Sequence, residues 1–190
     1  MPTISDYLKY ANLQMAAEAF LVDALGNPLT GDRYREALES GNGHASKFTE
    51  SEAIKFESEW TVVDQRKNTD SGFSGTLFRN KRTNEYVISF RSTEFIDDAI
   101  RDSASTNTLE VHDTGWAWGQ LSDMESWYQS INGQIDGPLN VTGYSLGGHL
   151  ATAFNRLHQS ELNGGQVITF NGAGVGEINT GTLREAIDYF

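Results

Sequence analysis

Residues 139–151 read L-N-V-T-G-Y-S-L-G-G-H-L-A and contain the pattern G-x-S-x-G, whose fixed positions are Gly143, Ser145 and Gly147. The pattern is short, and in a chain with 19 glycines it arises easily by chance, so its surroundings decide its meaning. Before the first glycine, apolar and polar residues alternate as in a β-strand. After the serine, apolar residues recur at helical spacing, namely Leu146, Leu150, Phe154 and Leu157. The stretch therefore predicts a strand, a sharp turn and a helix.

A turn of this kind is the setting in which a serine acts as a nucleophile. At the carboxyl end of a strand, a sharp bend exposes the hydroxyl of Ser145. Glycine is needed at 143 and 147, because a side chain there would collide with the neighbouring strand or helix. The first N–H groups of the helix lack intrahelical partners, so the N–H of Leu146 can bind the oxyanion that forms when the serine attacks a carbonyl. The alternative is an ordinary glycine-rich turn with a surface serine.

The segment G-Y-S-L-G-G-H-L-A resembles the nucleophile elbow of the class 3 lipases, the α/β-hydrolase group that includes the fungal triacylglycerol lipases. A second similarity is F-R-S-T at residues 90–93, where the family has F-R-G-(S/T). In that motif the residue after the glycine gives its N–H to the oxyanion hole, and by position this residue is Thr93. Ser92 replaces the glycine, and a serine reaches positive φ only with strain.

Two further segments are similar to the family, V-H-D-T-G-W at residues 111–116 and F-N-G-A-G-V-G at residues 170–176. The resemblance covers roughly residues 60 to 180. It implies an α/β-hydrolase-like, mixed and mostly parallel sheet with flanking helices. We divide the chain into a helical N-terminal segment packed on the sheet, over residues 1–60, and a partial hydrolase core over residues 61–190.

Local patterns add detail to this fold. The capping pattern Thr3-x-x-Asp6 predicts a first helix that runs to near Gly26. Its buried face is expected to hold Leu8, Ala11, Met15, Ala19 and Val22. A second capping pattern, Thr49-x-x-Glu52, predicts another helix, and from residue 61 the period changes to that of strands, with a hairpin across residues 80–84.

Composition limits the partners. Lysine and arginine total 14 against 26 acidic residues, and the net charge of −12 argues against nucleic acid or an anionic membrane as partner. There is no cysteine, and the four histidines show no metal-binding spacing, so we expect no metal site of these ligands. The ester hydrolysis that the resemblance implies needs no metal or organic cofactor, and we expect none. The sequence shows no Sec signal peptide and no apolar stretch long enough to span a bilayer. It fits the cytoplasm or export directed by a C-terminal signal absent from this chain.

The sequence after Ser145 offers no histidine and acid in the order that a catalytic triad of this fold requires. After Ser145 the chain has two histidines, His149 and His158, and one aspartate, Asp188. His149 lies one helical turn from the serine and stays open as a base, whereas His112 precedes the serine and is interpreted as structural, because the triad order in this fold is Ser, acid, His. In the resembling family the acid and histidine come from later strands. We therefore expect them beyond residue 190, and expect this C-terminally truncated chain to be poorly active or inactive alone.

The sequence-based hypothesis is a serine carboxylic ester hydrolase, a triacylglycerol lipase that acts through an acyl-enzyme on Ser145, with the N–H groups of Thr93 and Leu146 as oxyanion hole. A phospholipase A1, a soluble-ester esterase and a non-catalytic hydrolase-like binding module remain alternatives. Residues 94–103 read as an amphipathic helix, either a mobile lid or a fixed connection. Expected partners are a lipid or other acyl ester, and the missing C-terminal segment or a second copy at an exposed sheet edge.

Overall fold

The computed structural model describes residues 2–42, 47–92, 113–162, 164–178 and 181–189. Three helices come first, α1 (Ile4–Ala17), α2 (Gly31–Ser40) and α3 (Glu50–Glu59). Three strands follow, β1 (Trp60–Arg66), β2 (Gly75–Asn80) and β3 (Tyr86–Phe90). The remaining elements are α4 (Trp118–Ile131) with a 3-10 turn (Asn132–Gln134), β4 (Leu139–Tyr144), α5 (Leu146–Leu162), β5 (Val167–Phe170) and α6 (Leu183–Tyr189).

The strands form one sheet in the order β1-β2-β3-β4-β5. The first three form an antiparallel meander that contains the predicted hairpin, and β3, β4 and β5 run parallel. The mixed sheet with flanking helices is thus confirmed, and among the described strands the pairings divide evenly between the two orientations. Because β1 and β3 are both antiparallel to β2, the carboxyl ends of β1, β3, β4 and β5 lie at one edge of the sheet. We call this the carboxyl edge.

Helices cover both faces of the sheet. On one face α4, α5 and α6 pack around a cluster that includes Phe90, Trp116 and Phe154. On the other face the residues before β1 form a second cluster with Phe78 and Val87 of the sheet. All five residues of the central strand β3 are buried, because it carries apolar side chains to both clusters. The predicted boundary near residue 60, between helical segment and core, stays a prediction.

The first helix is shorter than predicted, and it buries a different face. The capping box of Thr3 and Asp6 is present, but α1 ends at Ala17, and Leu8 is 59% exposed. The residues it buries are Tyr10, Leu13, Gln14, Ala16 and Ala17. The cause is Gln65 of β1, which accepts the N–H of Leu21 (2.7 Å) and donates to the carbonyl of Ala19 (2.8 Å). These bonds draw the chain out of the helix into an extended turn.

An ionic cluster ties α6 to α4 and α5. His158, whose φ of −122° and ψ of 25° interrupt α5, lies with Nε2 2.6 Å from Glu125 Oε1 and Nδ1 2.6 Å from Glu161 Oε1. Since both nitrogens face carboxylate oxygens, the ring donates to both only as an imidazolium. Arg184 of α6 pairs with the other oxygen of Glu125, and the hydroxyl of Tyr128 donates to Glu161 at 2.7 Å. The cluster therefore joins three helices through charge.

Candidate active site

Ser145 forms a one-residue turn at the carboxyl edge, between the last residue of β4 and the first residue of α5. Its φ of +52° lies in the left-handed region, which residues other than glycine rarely adopt. Holding a side chain there costs about 1 to 3 kcal/mol. The side chain is half-buried, and its hydroxyl makes no hydrogen bond with the described residues. The predicted arrangement of strand, turn and helix is confirmed, and we call residues 143–148 the elbow.

Backbone hydrogen bonds hold Ser145 in this conformation. Its N–H donates to the carbonyl of Phe170 (3.1 Å), and its own carbonyl accepts from Gly148 (3.0 Å), His149 (3.3 Å) and Ala173 (3.0 Å). The partners in two of the four bonds belong to α5, and the other two belong to the end of β5 and the loop after it. The strained turn is thus fixed by the neighbouring strand as well as by its own helix.

The glycines of the elbow are required by close backbone contacts. A Cβ on Gly143 would lie 2.1 Å from the carbonyl oxygen of Gly147, and a Cβ on Gly147 would lie 2.2 Å from the carbonyl oxygen of Phe90. The next residue, Gly148, meets the backbone of Gly172, since its Cβ would lie 2.7 Å from that Cα. The start of α5 therefore packs directly on the end of β3 and on the loop after β5. The first two requirements match the sequence prediction.

Leu146 begins α5, and its N–H donates no hydrogen bond to any part of the chain that the structure describes. It lies at the positive end of the helix dipole, beside the Ser145 turn. This is the geometry expected of an oxyanion donor, because such an N–H is free to bind an oxygen that becomes negative during reaction.

The second predicted donor, Thr93, lies outside the described residues, and so do residues 94–103 and His112. The segment that leads to Thr93 is well held, because Arg91 is buried, its N–H donates to the carbonyl of Ser74 (3.0 Å), and its guanidinium donates to Asn68. Ser92 is not among the described non-glycine residues that have positive φ. The serine that replaces the family's glycine therefore causes no left-handed strain.

His149 is fully buried in the first turn of α5, and the backbone occupies both ring nitrogens. The N–H of Ala117 donates to Nε2 (3.3 Å), and Nδ1 lies 2.8 Å from the carbonyl oxygen of Gly174. Because an amide N–H only donates and a carbonyl only accepts, the ring is neutral and carries its proton on Nδ1. Burial lowers the pKa of His149, the bond to Gly174 opposes this, and the charge of Arg156 lowers the pKa further.

These bonds determine whether His149 can act as the catalytic base. His149 has no lone pair to offer Ser145, so the geometry argues against that alternative. His158 lies about 20 Å from Ser145 along the helix axis and is held by two carboxylates. Both histidines of the described chain are thus engaged elsewhere.

Two segments flank the elbow and touch each other, which the sequence patterns did not predict. We call them the pre-α4 segment (residues 113–117) and the post-β5 loop (residues 171–177). The N–H of Gly176 donates to the carbonyl of Gly115 (2.8 Å), and a Cβ on Gly115 would lie 2.5 Å from the Cα of Gly176. The indole of Trp116 donates to the carbonyl of Glu177 at 3.4 Å. Glycines in both segments were the one available signal of a close approach.

Two kinds of feature are absent from the described ranges. No group of three or more His, Asp or Glu side chains there is arranged to hold a metal ion. No helix in those ranges is long and apolar enough to cross a membrane.

No protein-family model matches the sequence, and no curated protein matches it. Solved structures do match. The Lip2 lipase from Yarrowia lipolytica is 15% identical, over 90% of this chain and 59% of that chain, with a TM-score of 0.50. A lipase from Rhizopus microsporus var. chinensis is 16% identical, over 100% of this chain and 64% of that chain, with a TM-score of 0.49. The chain therefore spans less than two thirds of either lipase.

At this level of identity the match with the Yarrowia lipase shows the fold. Over the part that is matched, the chain shares the α/β fold of that lipase, and the resemblance inferred from the elbow motif is confirmed at the level of the fold.

Proposed function

On this lipase-like fold, we propose that the chain carries the nucleophile and the oxyanion hole of a serine carboxylic ester hydrolase of the triacylglycerol lipase type. The observation that carries the proposal is the left-handed turn at Ser145, held by four backbone hydrogen bonds at the carboxyl edge. Strain of this kind persists only where the surroundings over-determine it, and it is concentrated at functional sites.

The proposed reaction has two acyl-transfer steps. The Oγ of Ser145 attacks the ester carbonyl and gives its proton to a base, and the N–H groups of Leu146 and Thr93 bind the resulting oxyanion. Collapse of this intermediate breaks the bond to the alcohol, which takes the proton from the base, and leaves an acyl-enzyme. Water then attacks the acyl-enzyme, releases the fatty acid and restores the serine. The reaction needs no metal or organic cofactor.

The base and the acid are proposed to follow residue 190 in the protein that contains this chain. Two observations support this placement. Both described histidines are committed to other bonds. The matched Yarrowia lipase is also longer, since the chain spans 59% of its length. The 190 residues alone are therefore expected to hydrolyse esters poorly or not at all.

The charge of the chain supports an uncharged substrate. With a net charge of −12, its long-range field repels anionic phospholipid surfaces and does not affect the approach to a neutral acyl ester. Triacylglycerol is thus the preferred substrate class, with phospholipase A1 and soluble-ester esterase activities as the alternatives that substrate profiling separates.

A fluorophosphonate probe tests the proposal, because it labels activated serines covalently. It is applied to the 190-residue chain and to the product of the complete reading frame, and the labelled residue is identified by peptide mass spectrometry. We expect rapid labelling of Ser145 in the complete product, with hydrolysis of emulsified triacylglycerol, and weak labelling of the 190-residue chain. Ser145→Ala should abolish both activities. Ser160→Ala, an exposed serine on the same helix, is the matched control and should leave them unchanged.

Two outcomes contradict the proposal. Absence of labelling at Ser145 in a folded complete product would favour a non-catalytic binding module. Rapid turnover by the 190-residue chain would show that a base lies within it, and would overturn the placement of the triad partners.

A further inference from the structure

The imidazole of His149 is the point at which three segments around Ser145 meet. The ring is 0% exposed and belongs to the first turn of α5. Through Nε2 it accepts the N–H of Ala117 in the pre-α4 segment, and through Nδ1 it donates to the carbonyl of Gly174 in the post-β5 loop. The backbone N–H of the same residue donates to the carbonyl of Ser145.

The two flanking segments reach the serine through this ring and through each other. The N–H of Ala173, the residue before Gly174, donates to the carbonyl of Ser145 at 3.0 Å. Trp116, next to Ala117, packs edge-on against the His149 ring with centroids 5.7 Å apart. A displacement of the ring would therefore move both segments, and with them one of the bonds that hold the strained turn.

We propose that His149 is a positioning residue that fixes the elbow against the pre-α4 segment and the post-β5 loop, and that it does so only as the neutral ring protonated on Nδ1. An imidazolium has no lone pair to accept the N–H of Ala117. The other neutral tautomer carries its proton on Nε2. Its N–H would then face the N–H of Ala117, and the lone pair of Nδ1 would face the carbonyl of Gly174. The effect of His149 on elbow geometry does not depend on the proposed function, whereas its effect on ester hydrolysis rests on that function.

The charged groups around the ring favour the same state. The guanidinium of Arg156 lies over the ring of Trp116, 5.6 Å from its centroid, and disfavours a second cation at His149. The acidic residues of the two flanking segments, Asp113 and Glu177, are both exposed. An apolar ring of similar size would fill the space but would remove the partner of the buried N–H of Ala117 and the bond to the carbonyl of Gly174, a residue that is itself exposed.

Three substitutions separate the two bonds of the ring. His149→Asn places an amide N–H near the position of Nδ1 and keeps a donor for Gly174. His149→Gln places a carbonyl oxygen near the position of Nε2 and keeps an acceptor for Ala117. His149→Phe fills the volume and keeps neither bond. His158→Gln, which changes a buried histidine on the same helix, is the matched control.

The first readout is amide hydrogen exchange of the 190-residue chain, followed by NMR. We expect His149→Phe to accelerate exchange at Ala117 and Ala173 by about tenfold or more. His149→Gln should restore slow exchange at Ala117. His158→Gln lowers the stability of the whole chain, so it should accelerate exchange at these two amides no more than at other buried amides. Unchanged exchange at Ala173 in His149→Phe would overturn the positioning role, because the ring would then fill space without holding the post-β5 loop.

The second readout is the nitrogen-15 spectrum of the His149 ring in the unsubstituted chain, which decides the tautomer even where a variant fails to fold. A proton on Nδ1 and an unprotonated Nε2 at neutral pH are expected, and a proton on Nε2 would overturn the inference. Neither readout uses ester hydrolysis, so a failure here is distinguishable from a failure of the proposed function. In an active complete product, His149→Phe should lower kcat about tenfold, and His149→Gln should lower it less.

Discussion

Helix α5 carries a buried histidine near each end, and the protein holds one of them neutral and the other as a cation. At the amino-terminal end, His149 is bonded to an amide N–H and a carbonyl of the backbone. At the other end, His158 lies between the carboxylates of Glu125 and Glu161. Backbone groups form a fixed donor and a fixed acceptor, which select one neutral tautomer. Two carboxylates are both acceptors, which select the cation.

The two rings differ in the direction of their pKa shift because the partners outweigh burial at only one of them. Burial favours the neutral form of both rings. At His149 it lowers the pKa, although the bond to Gly174 opposes it. At His158 the hydrogen bonds to Glu125 and Glu161, together with their charges, outweigh burial and raise the pKa. Burial therefore decides the direction at His149, whereas the two carboxylates decide it at His158.

Gly147→Ala would disrupt the packing at the amino-terminal end of α5 and leave the cluster around His158 intact. The added Cβ would lie 2.2 Å from the carbonyl oxygen of Phe90, a backbone atom that cannot turn aside. We expect a loss of about 3 kcal/mol or more in the free energy of unfolding, measured in urea. The control is Gly133→Ala, where a Cβ meets nothing within 4 Å and the effect should stay within about 0.5 kcal/mol. Equal losses at the two positions would contradict the steric account.

His158→Gln would disrupt the ionic cluster near the carboxyl-terminal end of α5. It removes a cation from between two carboxylates, one of them buried, and so leaves Glu125 with Arg184 as its remaining cationic partner. We expect a loss of about 2 kcal/mol in the free energy of unfolding, less than for a fully buried pair because Glu161 is 46% exposed. Arg82→Gln, which breaks an ion pair whose arginine is 73% exposed, should cost no more than about 0.5 kcal/mol. If both variants were equally stable, the cluster would contribute nothing.

The pH dependence of stability sharpens the contrast, because the two histidines act on opposite sides of about pH 6.5, the pKa of an unfolded histidine. Folding lowers the pKa of His149, so the unfolded chain binds more protons below that pH, and stability falls as the pH falls. Folding raises the pKa of His158, so its contribution is complete below about pH 6.5 and is lost as the pH rises through the folded value.

Urea unfolding at several pH values tests both signs. His149→Gln should remove the loss on the acid side and His158→Gln the loss on the alkaline side, each with a slope of at most about 1.4 kcal/mol per pH unit. A reversal of these two assignments would show that the charge states have been interpreted wrongly.

Ser145→Gly is the mildest change at the elbow, and it should stabilise the chain. Glycine adopts a φ near +52° without a Cβ penalty, so the variant relieves the strain of the turn. We expect a gain of about 1 kcal/mol in the free energy of unfolding. Ser145→Ala keeps a Cβ and should show no gain. A Ser145→Gly variant no more stable than Ser145→Ala would mean that the turn stores no strain.

Features set by local chemistry could be predicted from the sequence. The elbow, the two capping boxes and the hairpin each depend on neighbours within a few residues, and all of them are found where the patterns placed them. The end of α1 could not be predicted, because Gln65 acts on Leu21 from 44 residues away. The charge and tautomer of His149 could not be predicted either, because its partners come from segments that meet only in the folded chain. The roles of Ser145, Leu146 and Thr93 stay predictions.

The contact between Gly115 and Gly176 has a consequence for how sequences of this fold can vary. A Cβ on Gly115 would lie 2.5 Å from the Cα of its partner, and one on Gly176 would lie 2.4 Å from the carbonyl oxygen of Thr114. Each residue is already the smallest available, so a larger residue on one side has no compensating change on the other. Both positions should therefore be invariant across homologues. Methods that infer contacts from correlated substitutions would miss this contact, although it brings two backbone segments directly together.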